Sequence, residues 1–252
     1  MIFTNLIQTN LRTQTLGKNI EYYQRLESTN EEAWELIKSE ESTHGMIVIT
    51  DHQFKGKGRG TNSWFMSPSK GLAMSIILQK SLSLHDAGLI PLAVGVSVAK
   101  ALENRGATPS LKWPNDIFIR GKKVGGILCE SKISGSETSA MVVGIGVNIN
   151  ETNQDFPDAL SNMATSLNLE TSHVHQRELV CAIIATFFER CMYNLGNIQS
   201  EWLNYCNHLN EKVTFKHGHE SLSGIFKNIN EDGHAEIEID GNLSVYPSII
   251  LD

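Results

Sequence analysis

The sequence predicts an α+β fold, in which a mixed β-sheet packs against helices and a small all-β unit follows. Short apolar and β-branched segments alternate with segments of helical spacing up to about residue 210. From residue 212 the apolar period changes to two, with glycine-containing turns between the segments. A chain of 252 residues with 40% hydrophobic content can form one large core and a small appendage. We therefore expect two domains, residues 1–209 and 210–252.

The predicted helices follow from spacing and capping signals. The segment STNEE at 28–32 contains two overlapping Ser/Thr-x-x-Glu capping boxes, so a helix is predicted from there to about residue 38. Residues 1–20 are interpreted as a short lead-in without a domain of their own. Further helices are predicted at 84–105, 177–195 and 200–209.

The predicted strands are short and rich in β-branched residues. Segment 72–78 is apolar at nearly every position, so we expect it to be buried on both faces. The polar stretch 150–162 is expected to be a mobile loop. The strands of the first domain are predicted at 46–50, 72–78, 111–113, 117–119, 124–131 and 141–149, and those of the second at 213–215, 222–229, 234–239 and 244–246.

Composition excludes several classes of protein. A net charge of -7 argues against general nucleic-acid binding. We find no apolar run near the ~18–20 residues that cross a bilayer and no secretion signal at the N-terminus. The four cysteines form no CxxC pair and have no metal-site spacing with histidine, which predicts reduced thiols in a cytoplasmic protein. The nine scattered histidines are interpreted as surface residues.

The segment Gln53–Trp64, QFKGKGRGTNSW, is a glycine-interrupted cationic loop, called the glycine loop below. Between His52 and His85 there is no Asp or Glu, although five Lys or Arg residues fall inside this range. In a chain of negative net charge, such a region favours a binding site for a small polyanion. A solvated charged face and a simple turn are the alternatives.

Known phosphate loops do not match this segment. The chain has no GxxxxGK[ST] motif, and Gly56-x-Gly58-x-Gly60 lacks the spacing of the dinucleotide fingerprint. Glycines still let backbone N–H groups approach an anion, and Arg59 can grip a carboxylate or phosphate with two hydrogen bonds. Trp64 either walls a ligand or belongs to the core.

A second segment, Lys112–Cys129, carries more lysines and a Pro-Asn-Asp turn. Asp116 can hold Mg²⁺ through water, orient a lysine or simply form the turn. Gly125-Gly126 lets a strand lie close under a flat ligand. Asn148, after a glycine-rich strand, is an anion or metal contact or a turn residue. Because no Ser-His-Asp or Cys-His arrangement is supported, we expect chemistry by electrostatics and positioning.

In combination, these motifs resemble the biotin protein ligase family. The resemblance covers residues 28 to 149 through the motifs Ser28-Thr29-Asn30, Gln53-x-x-Gly56-Lys57-Gly58-Arg59-Gly60 with Asn62-x-Trp64, Lys112-Trp113-Pro114-Asn115-Asp116, Lys123-x-x-Gly126-Ile127-Leu128 and Gly144-x-Gly146-x-Asn148-Ile149. It implies the class II synthetase-like biotinyl–lipoyl ligase fold with an SH3-like β-barrel C-terminal domain. Lys57 and Asn62 stand where many family members have arginines.

The resemblance implies a two-step reaction. Biotin and ATP with Mg²⁺ give biotinyl-5′-adenylate, and a lysine of a biotin carboxyl carrier domain then attacks it. The implied catalytic residues are Lys123, Arg59 and Asp116. The implied biotin-binding residues are Ser28, Thr29, Asn30, Gln53, Gly56, Lys57, Gly58, Arg59, Trp64, Lys123 and Gly126. The implied nucleotide-binding residues are Lys57, Arg59, Lys112, Asn115, Asp116, Lys123 and Asn148, with Mg²⁺ held through the phosphates near Asp116.

Three other functions are weighed against this one. A lipoate or octanoate ligase or transferase shares the fold superfamily, but its RxGGGxxxxH segment is replaced here by GKGRGTNSW. A biotin-responsive DNA-binding regulator is disfavoured because only 27 residues precede Ser28, too few for a winged helix, so no DNA partner is expected. A catalytically dead binding protein is disfavoured by intact Lys112, Asp116 and Lys123. No membrane partner is expected, and a homodimer through the sheet edge is a further expectation.

Overall fold

The computed structural model of the protein describes residues 1–39, 43–218 and 220–251; Asp252, the last residue of the predicted second domain, lies outside them. The helices are α1 Thr4–Asn10, α2 Thr29–Ser39, α3 Leu84–Asn104, α4 Leu167–Thr171, α5 Arg177–Met192 and α6 Ile198–Leu203. The strands are β1 Ile20–Tyr23, β2 Ile47–Thr50, β3 Gly56–Lys57, β4 Ser63–Trp64, β5 Leu72–Leu78, β6 Leu82–Ser83, β7 Pro109–Lys112, β8 Asp116–Ile119, β9 Lys122–Ser134, β10 Glu137–Val147, β11 Lys212–His217, β12 Glu220–Ile229, β13 Ala235–Ile239 and β14 Asn242–Tyr246.

An eight-stranded mixed sheet forms the larger part of the protein, as predicted. Its order is β1-β2-β5-β10-β9-β8-β7, with β6 paired to β10. Strands β1 and β2 are parallel, whereas β5 is antiparallel to both β2 and β10. Every residue of β5 is buried, which confirms the expectation of burial on both faces.

The two faces of this sheet bury separate cores because successive strand residues point to opposite sides. Ile47, Ile49 and Ile76 face a large core that includes residues of α3 and α5. Val48 and Ile77 face a smaller core that receives the apolar side of α2. The helices predicted at 84–105 and 177–195 therefore cover one face of the sheet, and the helix predicted from 28–32 covers the other.

Helix α3 is more apolar than the sequence analysis implied. By length and composition alone this 21-residue helix is long and apolar enough to cross a membrane, contrary to the expectation that no run approaches that length. Within the protein, 61% of its most apolar window is buried. Its buried residues pack in the large core, so its composition is that of a core helix.

Helix α1 and strand β1 lie in or overlap the segment interpreted as a lead-in. Long-range contacts explain why local patterns did not reveal them. The Glu189 carboxylate on α5 accepts hydrogen bonds from the backbone N–H groups of Gln14, Thr15 and Leu16 at 2.5, 2.7 and 2.9 Å. The partners lie more than 170 residues apart in sequence, so the segment is ordered by tertiary contacts rather than by local propensity.

A buried ion pair joins β2 to the start of α5. Arg177 Nη2 donates to Asp51 Oδ1 at 2.6 Å, and the Tyr22 hydroxyl donates to Asp51 Oδ2 at 2.5 Å. Burial alone would raise the pKa of Asp51, but these two donors outweigh it and hold its pKa below the ordinary value. Burial, reinforced by Asp51, raises the pKa of Tyr22 to about 12. The network fixes the strand that runs into the glycine loop.

The C-terminal unit is a four-stranded antiparallel sheet in the order β11-β12-β13-β14. Each of its predicted strands is present, and Phe215, Phe226 and Ile237 form part of its buried interior. A bridge between Phe215 and Leu251 returns the end of the chain to its first strand. This small sheet fits the expected SH3-like domain. The boundary between 209 and 210 stays a prediction, with β11 beginning at Lys212.

The turn between β12 and β13 docks against α3. A Cβ atom on Gly88 would lie 2.7 Å from the carbonyl oxygen of Asp232, so only a glycine fits there. Trp113 Nε1 donates to the Gly233 carbonyl at 3.1 Å. His85 Nδ1 lies 2.9 Å from Asp232 Oδ1, and this hydrogen bond raises the pKa of His85. These contacts hold the C-terminal unit beside the start of the Trp-Pro-Asn-Asp segment.

Two histidines contradict the surface interpretation. His175 and His208 are buried, with 3% and 8% of their surface exposed. Burial lowers the pKa of each to about 4. His208 packs edge-on against Trp202 and Phe226 at the junction of the two units. Both side chains are therefore neutral core residues near pH 7.

Candidate active site

Most predicted ligand residues meet in one cavity, called the central cavity, between the start of α2, the glycine loop and strands β9 and β10. The predicted residues that line it are Ser28, Thr29, Asn30, Gln53, Lys57, Gly58, Arg59, Trp64, Asn115, Asp116, Lys123 and Gly126. Its remaining lining residues are Asn62, Ser63, Ala73, Ile127, Leu128, Gly144, Ile145, Gly146 and Ile250. Segments far apart in sequence thus converge on one site.

Three predicted residues lie elsewhere. A Cβ atom on Gly56 would lie 2.4 Å from the Trp64 carbonyl, so this glycine allows the β3–β4 pairing rather than lining the central cavity. Lys112 is half-buried on β7, and its charge contributes to the lowered pKa of His208. Asn148 lines a second, neighbouring cavity, which is described below as the apolar cavity.

One wall of the central cavity is a buried network of neutral polar groups. Gln53 Oε1 accepts hydrogen bonds from the backbone N–H and the hydroxyl of Thr29 at 2.8 and 3.2 Å. Ser75 Oγ lies 2.7 Å from Thr29 Oγ1 and 2.6 Å from Asn30 Oδ1. Sequence reasoning missed Ser75, although a lone serine inside the apolar β5 segment was an available signal. The network fixes the orientation of the side chains that face the cavity.

Asn30 is held between two strands of the sheet. Its Nδ2 donates to the Leu128 carbonyl at 3.2 Å and to Glu130 Oε2 at 2.7 Å. A Cβ atom on Gly144 would lie only 2.3 Å from Asn30 Oδ1. Glycine at this position of β10 therefore makes room for a protein side chain.

The Trp64 indole forms the wall between the central cavity and the apolar cavity. A Cβ atom on Gly146 would lie 2.5 Å from its Cε2 atom, so the ring rests directly on the β10 backbone. The residue is half-buried and lines both cavities, in a wall rather than in either hydrophobic core. Lys123 Nζ lies 5.9 Å from the centroid of the ring.

Lys123 and Asp116 form an ion pair at 2.6 Å. Their side chains are 35% and 27% exposed, so the pair adds little to stability and its main effect is to orient the lysine. The backbone of Lys123 is fixed as well, since its N–H donates to the Met163 carbonyl at 2.8 Å. Of the three roles considered for Asp116, orientation of a lysine is the one that this contact supports.

The cations of the glycine loop have partners that the local sequence did not reveal. Lys55 pairs with Glu27 at 2.8 Å, and Lys57 pairs with Glu31. The hydrogen bond to Glu31 raises the pKa of Lys57. Such exposed pairs are weak, so an anionic ligand can replace the carboxylates at small cost.

Arg59 instead reaches the C-terminal unit. Its guanidinium donates to the Ile249 carbonyl at 3.2 Å and to Ser248 Oγ at 2.8 Å. Burial lowers the pKa of Arg59, opposed by the charge of Asp116. The next residue after this contact, Ile250, lines the central cavity. The C-terminal unit therefore supplies part of the cavity wall, which sequence reasoning did not predict.

Comparison with known proteins identifies the family. The sequence profile of the Biotin/lipoate A/B protein ligase family matches residues 22–148, which include the central cavity's motifs. The chain belongs to this family. Biotin--[acetyl-CoA-carboxylase] ligase of Paracoccus denitrificans is 31% identical over 222 residues, covering 83% of this chain and 90% of that protein.

Two further relatives extend the comparison within the family. The bifunctional ligase/repressor BirA of Bacillus subtilis is 34% identical over 185 residues, which cover 73% of this chain but only 57% of the relative's length. The structure of biotin protein ligase from Aquifex aeolicus in complex with biotin and ATP matches with a TM-score of 0.77 at 26% identity. It covers 93% of this chain and 99% of that one, so the fold of the family extends through the C-terminal unit.

A second cavity of this family member, called the apolar cavity, lies on the other side of Trp64. Loop 150–162 lies over it and contributes Phe156 and Leu160, and β8 contributes Phe118. Asn148 Nδ2 donates to the Thr165 carbonyl at 2.9 Å and so ties the strand end to the far end of the loop. The rest of the lining is Ser63, Trp64, Phe65, Gly121, Lys123, Asn162, Met163 and Ala164. Sequence reasoning missed its three phenylalanines, of which Phe156 stood out in a polar stretch.

A buried carboxyl group lies at the start of loop 150–162. Glu151 is fully buried, and neither carboxylate oxygen has a hydrogen-bond partner among the described residues. A Cβ atom on Gly71 would lie 2.6 Å from its Oε1. Burial raises the pKa of Glu151 to about 7. Beside it, Lys70 pairs with Asp155 at 2.5 Å and thereby lowers the pKa of Asp155 to about 2.

The thiols of the chain do not suit nucleophilic catalysis. All four cysteines are free. Cys129 lines neither the central nor the apolar cavity, but it directly follows Leu128, which lines the central cavity. Burial raises its pKa to about 12, so the thiol stays protonated. Among residues 1–39, 43–218 and 220–251, no group of three His, Cys, Asp or Glu side chains could hold a metal ion. The site is built for binding and electrostatics.

Gly146→Ala tests the contact between Trp64 and β10. The added methyl group would overlap the indole, so we expect a loss of about 1–3 kcal/mol in the free energy of unfolding. Urea unfolding measures it. Gly196→Ala is the matched control because no atom lies within 4 Å of a Cβ there, and it should unfold like the parent. Equal stability of all three proteins would contradict the contact.

Glu151 predicts a pH dependence of stability. Its pKa is raised from 4.5 to about 7 on folding, so the unfolded chain loses this proton first as pH rises. The free energy of unfolding should therefore fall between about pH 4.5 and pH 7, by roughly 3 kcal/mol. Glu151→Gln should flatten this fall, measured by urea unfolding across the range. Asp158→Asn, an exposed carboxylate of the same loop, should keep the parental slope; the same slope in Glu151→Gln would contradict the assignment.

Proposed function

We propose that the protein is an ATP-dependent biotin protein ligase. It would form biotinyl-5′-adenylate and pyrophosphate from biotin and ATP, and then transfer the biotinyl group to a lysine of a biotin carboxyl carrier domain. The observation that carries the proposal is the central cavity, in which a buried neutral polar wall faces the Lys123–Asp116 pair. Its relatives, which include a biotin ligase and a biotin protein ligase solved in complex with biotin and ATP, support it.

The neutral wall suits the ureido ring of biotin. This ring has N–H donors and a carbonyl acceptor but no charge, so its recognition needs fixed neutral partners. Ser28, Thr29 and Gln53 provide them on the buried side of the cavity, and Asn30 completes the wall. An acid without the ring would leave the remaining hydrogen-bonding capacity of this wall without a ligand partner, which is a basis for discrimination.

Lys123 suits the reacting end of the ligands. The first step brings the biotin carboxylate to the α-phosphate of ATP, and a fixed cation is needed to offset the repulsion between the two anions. Lys123 lies where the central cavity meets the apolar cavity, and Asp116 orients it. Arg59 would add positive charge from the glycine loop, and Lys57 is available once an anion replaces Glu31.

The apolar cavity suits the purine ring of ATP. Its aromatic and aliphatic side chains can stack on a flat base, and it adjoins Lys123, beside which the phosphates would lie. Asn115 and Asn148 would contribute hydrogen bonds. For Mg²⁺, Asp116 is the one carboxylate in the described lining of the central cavity, and Mg²⁺ of this kind is held mainly by phosphate oxygens and water. When bound, the ion would neutralise phosphate charge.

The second step needs a dry site and a deprotonated lysine. Ordering of the glycine loop and of loop 150–162 would exclude water from the mixed anhydride. The acceptor lysine, with an ordinary pKa of ~10.4, must lose a proton before it attacks. Asp116 is the candidate acceptor of that proton. We also propose a cytoplasmic location, since all four cysteines are free.

The main test is biotin-dependent exchange between ATP and pyrophosphate. We expect exchange with biotin and none with lipoate or octanoate, because only biotin carries the ureido ring. Radioactive pyrophosphate incorporated into ATP measures it. Exchange with lipoate alone would assign the chain to the lipoate side of the family, and exchange with none of the three acids would remove the ligase proposal.

Lys123→Ala should slow this exchange by roughly 10²–10³, the scale of one lost contact to developing negative charge. The physical reason is the unbalanced repulsion between the carboxylate and the phosphate. Lys122→Ala removes the same charge from an exposed neighbour outside both cavities, and it should exchange at the parental rate. Near-parental exchange by Lys123→Ala would remove the lysine from the mechanism.

A further inference from the structure

We propose that protonation of Glu151 favours the position of loop 150–162 over the apolar cavity and thereby strengthens the binding of ATP. The proposal rests on the ligase function and on the assignment of the purine ring to this cavity. Glu151 lines neither the apolar nor the central cavity, so its role is that of a positioning residue. Three observations carry the proposal.

The carboxyl group of Glu151 is buried without a partner. The residue has 0% of its surface exposed, and neither carboxylate oxygen accepts a hydrogen bond from a described residue. The nearby backbone N–H groups of Glu151 itself and of Ile149 act to lower the pKa of this carboxyl group, but burial outweighs them. A neutral carboxyl group tolerates such surroundings far better than a carboxylate does. The structure therefore fits the protonated form.

The two charges that act on Glu151 already neutralise each other. The charge of Lys70 favours ionisation of Glu151, whereas the charge of Asp155 opposes it. Lys70 is paired with Asp155 at 2.5 Å, and this contact holds the pKa of Asp155 near 2, at about 2 against an ordinary 3.8. The pair therefore persists near neutral pH and leaves little net charge to stabilise an ionised Glu151.

The charged groups on the neighbouring helices are engaged elsewhere. Arg177, at the start of α5, belongs to the buried ion pair with Asp51. His175, in the segment before α5, is neutral near pH 7 because burial lowers its pKa to about 4. Glu170 of α4 accepts a hydrogen bond from Thr165 at 2.7 Å. Hydration is thus the main source of stabilisation that an ionised Glu151 can reach, and it requires the start of the loop to open.

Glu151 belongs to the same interface as the wall of the apolar cavity. Loop 150–162 packs along segment 65–71, and a Cβ atom on Gly71 would lie 2.6 Å from Glu151 Oε1. Further along this interface, the ring centroids of Phe65 and Phe156 lie 6.5 Å apart, and both rings line the apolar cavity. A movement of Glu151 away from Gly71 would therefore disturb the aromatic wall on which the purine ring stacks.

A closed turn links the two ends of this interface. The backbone N–H and the hydroxyl of Thr152 both donate to Asp155 Oδ2, at 2.7 and 2.6 Å. Thr152 directly follows Glu151, and Asp155 directly precedes Phe156. Because these hydrogen bonds fix the shape of the turn, Glu151 and Phe156 should move together.

The pKa of Glu151 sets the direction and the range of the effect. With the loop in place this pKa is about 7, whereas a hydrated glutamate has the ordinary value of 4.5. Closure of the loop therefore takes up a proton, is most favourable below about pH 4.5, and weakens as pH rises to about 7. Within that window each pH unit changes the closure equilibrium by up to about tenfold. The affinity for ATP should fall in the same direction.

The test compares the parent with Glu151→Gln, which keeps a neutral side chain of the same length at every pH. Asp158→Asn is the matched control, because it removes an exposed carboxylate from the same loop. Biotin-dependent exchange between ATP and pyrophosphate is measured for each full-length protein from about pH 5.5 to about pH 8. It gives the KM for ATP, the KM for biotin at saturating ATP, and the maximal rate. The titration of ATP itself cancels in the ratio of parent to variant.

We expect the KM for ATP of the parent, divided by that of Glu151→Gln, to rise about tenfold between about pH 5.5 and about pH 7.5. The KM for biotin and the maximal rate should stay within about twofold of the parent, since Glu151 lines neither cavity. Asp158→Asn should follow the parental profile. A ratio that does not change with pH would overturn the proposal, as would an equal change in the KM for biotin.

A second measurement is made on the parent alone. Biotinol-5′-adenylate, an unreactive analogue of the intermediate, carries a phosphodiester that does not titrate near neutral pH. Its binding at about pH 7, measured by calorimetry in buffers of different ionisation enthalpy, should be accompanied by proton uptake. Binding without proton uptake would overturn the proposal even if Glu151→Gln failed to fold. Absence of exchange in the parent at every pH would instead remove the ligase function, which a constant KM ratio would leave in place.

Discussion

The absence of side chains at two positions of β10 is the constraint on which the site depends. This strand is central in the sheet, with β5 on one side and β9 on the other. Gly144 leaves room for the Asn30 amide, and Gly146 leaves room for the Trp64 indole. Through these contacts the start of α2 and the end of the glycine loop lie directly against the sheet. The neutral wall, the Lys123–Asp116 pair and the division into two cavities all take their positions from that close approach.

Around this centre the protein keeps its cavities distinct while linking them through a few shared residues. Trp64 and Lys123 line both the central and the apolar cavity, whereas Arg59 and Asn115 line both the central cavity and a third cavity beside the C-terminal unit. The central cavity is polar, and it lies between the apolar cavity and a cavity with a mixed lining. This arrangement suits a reaction whose partners differ in polarity. The C-terminal unit supplies one wall, so its attachment to α3 bears on the shape of the site as well as on stability.

Local patterns in the sequence predicted what local physics determines. The uniform apolarity of β5, the helical spacing of α3 and the two-residue period of β11 to β14 each appear in the structure. The N-terminal helix and first strand were missed because tertiary contacts order this segment, and Glu189, which binds the backbone between the two elements, lies far along the chain. The burial of His175 and His208 escaped notice for the same reason.

For the site, the motifs include most of the residues that line the central cavity, whereas Gly56 and Lys112, which the resemblance also implied, lie outside that lining. The roles of these residues in ligand binding stay predictions. Phe118 and Ile250 could be found only from the fold, because each joins the site from a segment without a local signal. Ser75 and Phe156 did carry a local signal, as a lone serine in an apolar strand and an aromatic residue in a polar stretch. The location of Trp64 also gives the molecule an intrinsic optical reporter. Trp113 and Trp202 are almost fully buried, whereas the Trp64 ring stands half-buried between two cavities. Trp34, the fourth tryptophan, is also half-buried, but it packs against the smaller core and lines neither cavity. A change in tryptophan emission when one of the two cavities fills therefore reports on the surroundings of Trp64.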